Sequence, residues 1–333
     1  MTTVLESLNR ALLEVLAQDQ DVVLLGEDIL DPYGGAFKVT KGCSSAFPGR
    51  VFTTPISEAA MAGIANGLAL AGKKPVIEIM FGDFVTLVAD QVINHAAKFR
   101  WMYNGTVTVP LVIRTPMGGR RGYGPTHSQS LEKHFLGAPG LKVIAPNNLT
   151  DAGTLLRHCV LNETEPVLFV EHKLLYTSSQ LKTGSKELID LVVDLGQGPY
   201  PTATTRFAGV GRHHASILTY GYNFELARQA ALDLAYQHEI FCEIVVFSQL
   251  TPFDLTPAFE SAKRTGVVLT VEEGNQTLGW GSEVVAQVST MLPGTKVGRV
   301  AALDVPIGNS KALEDEILPS LIRIKQSILG ITQ

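Results

Sequence analysis

The sequence predicts an α/β protein built of two doubly wound domains, on three observations. Its 333 residues and 45% hydrophobic content exceed what one ordinary hydrophobic core organises. From the N-terminus to about residue 170, apolar residues at helical spacing alternate with short continuous apolar runs. That pattern belongs to a mostly parallel sheet covered by helices on both faces. The alternation then stops between about residues 176 and 214, where Ser, Thr, Gly and Pro dominate, and restarts beyond. The expected division is a first domain over 1–184, a linker over 185–212 and a second domain over 213–333.

The elements follow in order. Leu5, Leu8, Leu12, Val15 and Leu16 repeat on one helical face, predicting a helix over 3–18. The apolar run at 22–25 ends at Gly26 and predicts a strand. Ser57 is placed to cap a helix running to Leu70, and Gly72 to end it. Gly63 and Gly67 lie four apart on one face of that helix and permit close backbone contact there. A strand is expected over 75–80, then a helix from Phe84 to about Trp101 with Asp83 as its cap. Strands are expected at 111–113 and 141–144 with a long loop between them, a helix opened by Asn148 or Thr150 and running through Cys159, and a strand at 167–170. In the second half, strands are expected at 216–220, 241–247, 267–271 and 297–301. Helices are expected at 224–236, 257–263, 281–291 and from Lys311 to about Ile328.

Composition excludes several function classes. The net charge is −5 and the Lys and Arg residues are scattered, so no basic surface for nucleic acid is expected. Cys43, Cys159 and Cys242 are too few and too far apart for a disulfide framework or a metal-ligand pair, and buried free thiols are the expectation. No uncharged apolar run reaches the roughly 20 residues of a membrane helix. The first residues lack the basic flank and apolar stretch of a signal peptide. A soluble, cytoplasmic protein is expected.

Glu58 stands in the first turn of its predicted helix, among small and apolar residues. A solvated first-turn carboxylate, favoured by the helix dipole, is the plain alternative. The apolar setting argues for burial, and a buried carboxylate must find a partner or a proton. The aminopyrimidine nitrogen of thiamin is such a partner: a carboxyl there favours the imino form of the ring. Phe81-Gly82-Asp83-Phe84 follows a strand, and its two rings suit either core packing or stacking on the pyrimidine. The loop Gly118-Gly119-Arg120-Arg121-Gly122-Tyr123-Gly124-Pro125-Thr126-His127 carries four glycines, and its length and flexibility suit an active site. His127 has the chemistry to bind or protonate a carboxylate or an enolate-like intermediate. His134 is expected to pack structurally. No phosphate-binding GxxxxGK[ST] loop and no GxGxxG after a strand is present. Gly82-Asp83 is followed by Phe84, so the Gly-Asp-Gly segment that holds magnesium and diphosphate in thiamin enzymes is missing too. The chain carries half a site.

Over nearly its whole length the chain resembles the β subunit of the thiamin diphosphate-dependent first component of 2-oxoacid dehydrogenases, pyruvate dehydrogenase among them, in the transketolase-like family. The resemblance rests on Leu25-Gly26-Glu27-Asp28, Arg50-Val51-Phe52-Thr53-Thr54-Pro55, Asp90-Gln91-Val92-Ile93-Asn94 and Leu303-Asp304-Val305-Pro306-Ile307. The most specific segments are Thr54-Pro55-Ile56-Ser57-Glu58 and His127-Ser128-Gln129-Ser130. It implies a pyrimidine-binding domain and a transketolase C-terminal-like domain. It also implies an enzyme that decarboxylates a 2-oxoacid and passes the acyl unit to a lipoyl acceptor. By the same resemblance Glu58 binds the pyrimidine, Ile56 props the bent cofactor, Phe84 stacks on the ring, Met80 lines the acyl pocket and His127 faces substrate and acceptor. A partner α subunit, in a heterotetramer of two α and two β chains, would bring the Mg2+ and diphosphate ligands, and a lipoyl acyltransferase core is a further implied partner. The chain departs at Met80, where many relatives are polar, at Arg120-Arg121, and at 162–166, where relatives often hold a monovalent cation beside Cys159. Two alternatives stay open: a transketolase-like paralogue passing an activated aldehyde to a sugar or carrier-bound acceptor, and a non-catalytic assembly subunit.

Overall fold

The computed structural model describes residues 2–332, which pack as two compact units. Unit one joins the residues up to Met117 with His134–Gln180, and unit two joins Gly118–Lys133 with the residues from Leu181 onward.

Unit one opens with α1 (Val4–Gln18). The Thr3 hydroxyl accepts from the Glu6 N–H while the Glu6 carboxylate accepts from the Thr3 N–H, a reciprocal cap that fixes the helix start. Its buried stripe holds the expected Leu8, Leu12, Val15 and Leu16, but Leu5 is only half-buried and Val4 takes its place. There follow β1 (Val22–Gly26), α2 (Cys43–Ala46), β2 (Val51–Thr53), α3 (Glu58–Leu70), β3 (Lys74–Glu78), α4 (Ala97–Met102), β4 (Val112–Met117), β5 (Lys142–Ile144), α5 (Ala152–Asn162) and β6 (Val167–His172). The strands of this unit run in the order β5-β6-β4-β3-β1-β2, each parallel to its neighbours. Leu24 of β1 stands between Val51 and Val76, and the central strands are buried from end to end. The chain leaves β1 for β2 on one side and continues through β3 on the other. The carboxyl ends of β1, β2 and β3 therefore flank the kind of switch point where open α/β sheets place ligands.

Three expectations in this unit are corrected. The helix predicted from Phe84 to Trp101 is instead a 3-10 segment at Gly82–Val88, a π-helical turn at Gln91–Ala96 and then α4. The Asn66 amide donates to the Gln91 carbonyl at 2.8 Å, and a side chain bonded into the backbone ladder is a recognised cause of such a break. Asn148 and Thr150 do not open α5, because Asn147 accepts from the Leu149 and Thr150 N–H groups and holds them in a turn. Asp151 is the cap, accepting from Gly153 and Thr154. Ser57 takes the cap position of α3 without a side-chain cap bond.

Unit two contains β7 (Leu191–Leu195), β8 (Ala203–Phe207), β9 (Ala215–Tyr220), α6 (Asn223–His238), β10 (Cys242–Phe247), β11 (Gln249–Thr251), α7 (Thr256–Thr265), β12 (Val267–Asn275), α8 (Trp280–Met291), β13 (Lys296–Ala302), α9 (Lys311–Ile317) and α10 (Leu321–Thr332). Its six-stranded sheet runs β13-β12-β9-β10-β8-β7. The first four strands are parallel, and the last two form an antiparallel hairpin on the edge. Residues 185–212, read as a linker, carry that hairpin, and the Gly-Pro-rich segment is its turn. The single last helix expected from Lys311 is two helices, because Pro319 cannot continue α9. Trp280 is buried against Tyr220 and Phe247, edge to face, at ring separations of 5.2 and 5.4 Å. All three cysteines are free and buried, and burial pushes the Cys43 and Cys242 thiols up to about 12. Among the described residues no helix is long and apolar enough to cross a membrane.

Candidate active site

Glu58 is the first residue of α3 and lies beyond the carboxyl end of β2. It is only 6% exposed, although Pro55, Ile56, Ser57 and Ala60 around it are exposed. Glu27, the residue after β1, is buried beside it at 7% exposure. Burial pushes the Glu27 carboxyl up and the nearby Glu58 charge adds to that, against a hydrogen bond from the Ser57 backbone. Glu27 Oε1 has no hydrogen-bond partner in the protein. Two buried acids with an orphaned oxygen between neighbouring strand ends are costly unless a donor or a proton is supplied. Ile56, two residues before Glu58, is 86% exposed.

Met80 and Phe84 follow β3 and are half-buried. The Phe84 ring stands edge-on to Phe81 at 6.2 Å, and Phe81 meets Phe37 at 5.6 Å. Gly82 lets this turn close on β4, since a Cβ there would fall 2.1 Å from Met117 Cγ. The same strand ends carry a buried ion cluster. Arg114 pairs with Glu78 at 2.8 Å and through two parallel bonds of 2.7 Å with Glu171, which also accepts from the Tyr176 hydroxyl. Such bidentate pairs fix geometry as well as charge.

His127 belongs to unit two. Its loop closes on itself, the Gly118 N–H donating to the Gln129 carbonyl at 3.2 Å, and ends in a turn in which the His127 N–H meets the Gly124 carbonyl. Thr126 Oγ1 lies 3.1 Å from His127 Nδ1. The imidazole is half-buried, and His134, expected to pack, is exposed in a 3-10 turn. The stem of the loop is fastened rather than free. The Gly119 N–H donates to Glu273 at 2.7 Å and the Gly122 N–H to Glu314 at 2.9 Å. Arg120 pairs with Glu273 and donates to the Pro319 carbonyl.

Near this stem unit two buries further acids. Glu132 accepts from the Tyr220 hydroxyl at 2.5 Å. Glu272 accepts from Gly281 N–H at 2.9 Å and faces Arg299 at 3.3 Å. Burial, with some help from Glu132, still pushes Glu272 up to about 7. A cavity of about 400 Å³ opens between the loop residues Pro125, Gln129 and Ser130 and the strand-end residues Glu273, Asn275 and Asp304. Among the described residues no group of three His, Cys, Asp or Glu side chains is arranged to hold a metal ion.

The structure thus places Ile56 and Glu58 after β2, Met80 and Phe84 after β3, and His127 on a braced loop of unit two. Glu27, Glu273 and Glu314 were not singled out by sequence reasoning. A carboxylate directly after a buried strand was the available signal for Glu27. The other two lie 154 and 192 residues from the amides they hold, and no local pattern marks them.

Comparison with known proteins gives the context of this geometry. Residues 1–179 match the family described as transketolase, pyrimidine binding domain, and residues 210–324 match transketolase, C-terminal domain. The mitochondrial pyruvate dehydrogenase first-component β subunit of Saccharomyces cerevisiae is 34% identical, the alignment covering 99% of this chain and 89% of that one. The β subunit of the acetoin:2,6-dichlorophenolindophenol oxidoreductase of Cupriavidus necator is also 34% identical, over 96% of this chain and 94% of that one. Among solved structures, a split-gene transketolase described as an inactive β tetramer superposes with a TM-score of 0.76 at 22% identity, covering 100% of this chain and 99% of that one. At that identity it shares the fold.

Proposed function

The chain belongs to the transketolase family, and on that premise we propose that it is the β subunit of a thiamin diphosphate-dependent 2-oxoacid dehydrogenase. The observation that carries this reading is the buried pair Glu58 and Glu27 at the switch point of unit one's sheet. The donor set fits the cofactor's aminopyrimidine. Glu58 offers a carboxyl at a fixed helix start, and the orphaned Glu27 oxygen has acceptor capacity left over. When bound, thiamin diphosphate supplies the carbanion chemistry that no side chain provides.

The chain's own residues have distinct tasks in this reading. Glu58 holds a proton against the pyrimidine ring. Ile56 and Phe84 hold the cofactor by apolar contact and stacking, and Met80 narrows the pocket for the acyl group. His127 binds the substrate carboxylate or donates to a developing oxyanion. Ligands for Mg2+ and the diphosphate come from an α subunit in an assembly of two α and two β chains. The face of α3 that exposes Gly63, Ile64 and Gly67, with open space at both glycines, suits close helix packing against such a partner. A lipoyl acyltransferase core and a cytoplasmic location complete the proposal.

Co-purification with the α-type subunit tests it. The complex is expected to decarboxylate a 2-oxoacid such as pyruvate or 3-methyl-2-oxobutanoate and to acylate a lipoyl domain, with thiamin diphosphate and Mg2+ required. Transfer to an aldose with no lipoyl acylation would select the transketolase-like alternative. A complex that binds the cofactor and turns over neither substrate would select the assembly role. Calorimetry on this chain alone is expected to show weak cofactor binding, and tight Mg2+-dependent binding would refute the half-site.

A further inference from the structure

Residues 118–129 form a closed loop with four glycines before His127. Ordering such a segment costs about 1–2 kcal/mol per residue in backbone entropy, so an unbraced loop of this composition would hold His127 poorly. One arm of the loop is braced at three successive points. Glu273, at the end of β12, accepts from the Gly119 N–H at 2.7 Å and pairs with Arg120 at 3.5 Å. Arg120 reaches on to the Pro319 carbonyl and to Asp315. Glu314, wholly buried on α9, accepts from the Gly122 N–H at 2.9 Å. The His127 turn begins two residues later, at Gly124. Arg120 is also the one non-glycine residue of the loop at positive φ, +72°. A left-handed arginine costs about 1 kcal/mol or more and persists where its surroundings over-determine it. Both anchors are carboxylates, whose hydrogen bonds from backbone N–H groups are among the stronger ones. They project from a strand and a helix, so the brace is stiffer than the loop it holds.

We propose that Arg120, Glu273 and Glu314 are positioning residues for His127, forming a carboxylate latch that holds the loop in the conformation its chemistry requires. The inference rests on the reading that His127 acts on the substrate. It goes beyond that reading by assigning a positioning task to three residues outside the set Glu58, Ile56, Met80, Phe84 and His127.

The test is a double-mutant cycle in the assembled α/β enzyme with thiamin diphosphate and Mg2+. Arg120→Gly keeps the left-handed backbone at no steric cost and removes the side chain from Glu273, Asp315 and Pro319. It should lower kcat roughly tenfold in the native background, since displacements near 1 Å cost that much or more. In the His127→Ala background it should lower kcat less than about twofold, because residues acting through one group are not additive. Cofactor affinity should hold within about twofold, and amide exchange over 122–128 should quicken. Glu314→Ala should behave likewise, and Glu314→Gln, which keeps an acceptor, should restore most of the rate. Equal losses in both backgrounds, or native turnover from a loosened loop, overturn the latch and leave the role of His127 standing. Full turnover from His127→Ala alone overturns that role and the latch with it.

Discussion

Glu58 and His127 are held by opposite means. The carboxyl owes its place to the main chain: β2 ends at Thr53, α3 begins at Glu58, and the pleat of a parallel sheet fixes where that helix starts. The start of α3 has no side-chain cap bond, and the charge of Glu58 is felt at the buried Glu27. The imidazole owes its place to side chains far along the sequence, on β12 and α9, that grip a glycine-rich loop by its backbone. In the proposed reading Glu58 fixes a carboxyl against one ring position, which suits the first arrangement. In the same reading His127 meets substrates entering and acyl units leaving, which suits the second, where the brace is separable from the tip.

The largest effect should come from the rigid site. Glu58→Gln keeps size and helix start but removes the carboxyl's proton chemistry, so turnover should fall by several orders of magnitude, as for lost general-acid and electrostatic contributions. Circular dichroism and the size of the assembled enzyme should be unchanged. Near-normal activity of a homogeneous Glu58→Gln enzyme would end the assignment of this carboxyl to the pyrimidine.

The loop site should give less. His127→Ala should lower decarboxylation or reductive acylation by roughly 10²-fold, the scale of a lost acid–base group, with cofactor affinity within a few fold. Cofactor titration paired with single-turnover kinetics separates the two. Lost binding with normal chemistry at saturation would exchange the roles of the two regions.

The same contrast decides what could be read in the sequence. The helices at α1 and α3 and the apolar strands were legible because period and cap sit within a few residues. Glu58 was expected to be buried because of its apolar flanks. It is buried, but Pro55, Ile56, Ser57 and Ala60 are exposed, so its place at the strand ends and not its flanks accounts for it. The helix expected after Phe84 was not, because Asn66, distant in sequence, bonds the Gln91 carbonyl. The β7–β8 hairpin was not, because an edge hairpin with one exposed face has the composition of a linker. The loop before His127 looked mobile because its anchors are long-range carboxylates. Glu27 was passed over because what raises it, its burial and then the Glu58 charge on another element, is made by the fold.

A third test asks what else α3 does. Gly63 and Gly67 are exposed in mid-helix with open space where a Cβ would stand. For a helix in a lone chain, Gly63→Ala should raise stability by about 0.5–1 kcal/mol, since glycine is a poor helix former. If the face packs against the α subunit, Gly67→Leu should weaken assembly even though the lone chain tolerates it. Thermal melts of the chain and sedimentation of the mixture give opposite signs in that case. A Gly67→Leu chain that assembles as tightly as the native one would remove the partner from this face.

The last effect should fall on unit two alone, appearing in stability and leaving turnover least changed. Glu272 faces the Gly281 N–H, Glu132 and Arg299, and burial outweighs the favourable contacts so that its carboxyl rises from 4.5 to about 7. Below about pH 4.5 it is protonated folded or unfolded, and its contribution is fully present. Between there and pH 7 the unfolded chain releases this proton while the folded chain keeps it, so folding must take a proton up and stability falls as pH rises. Above about pH 7 the loss is complete, at about 3 kcal/mol for this group taken alone. Glu272→Gln, neutral at every pH, should resemble the native chain near pH 5 and melt several degrees above it at pH 8. Assembled enzyme should keep its cofactor affinity in both. Parallel melting curves for the two proteins across that range would show that Glu272 does not hold its proton through neutrality.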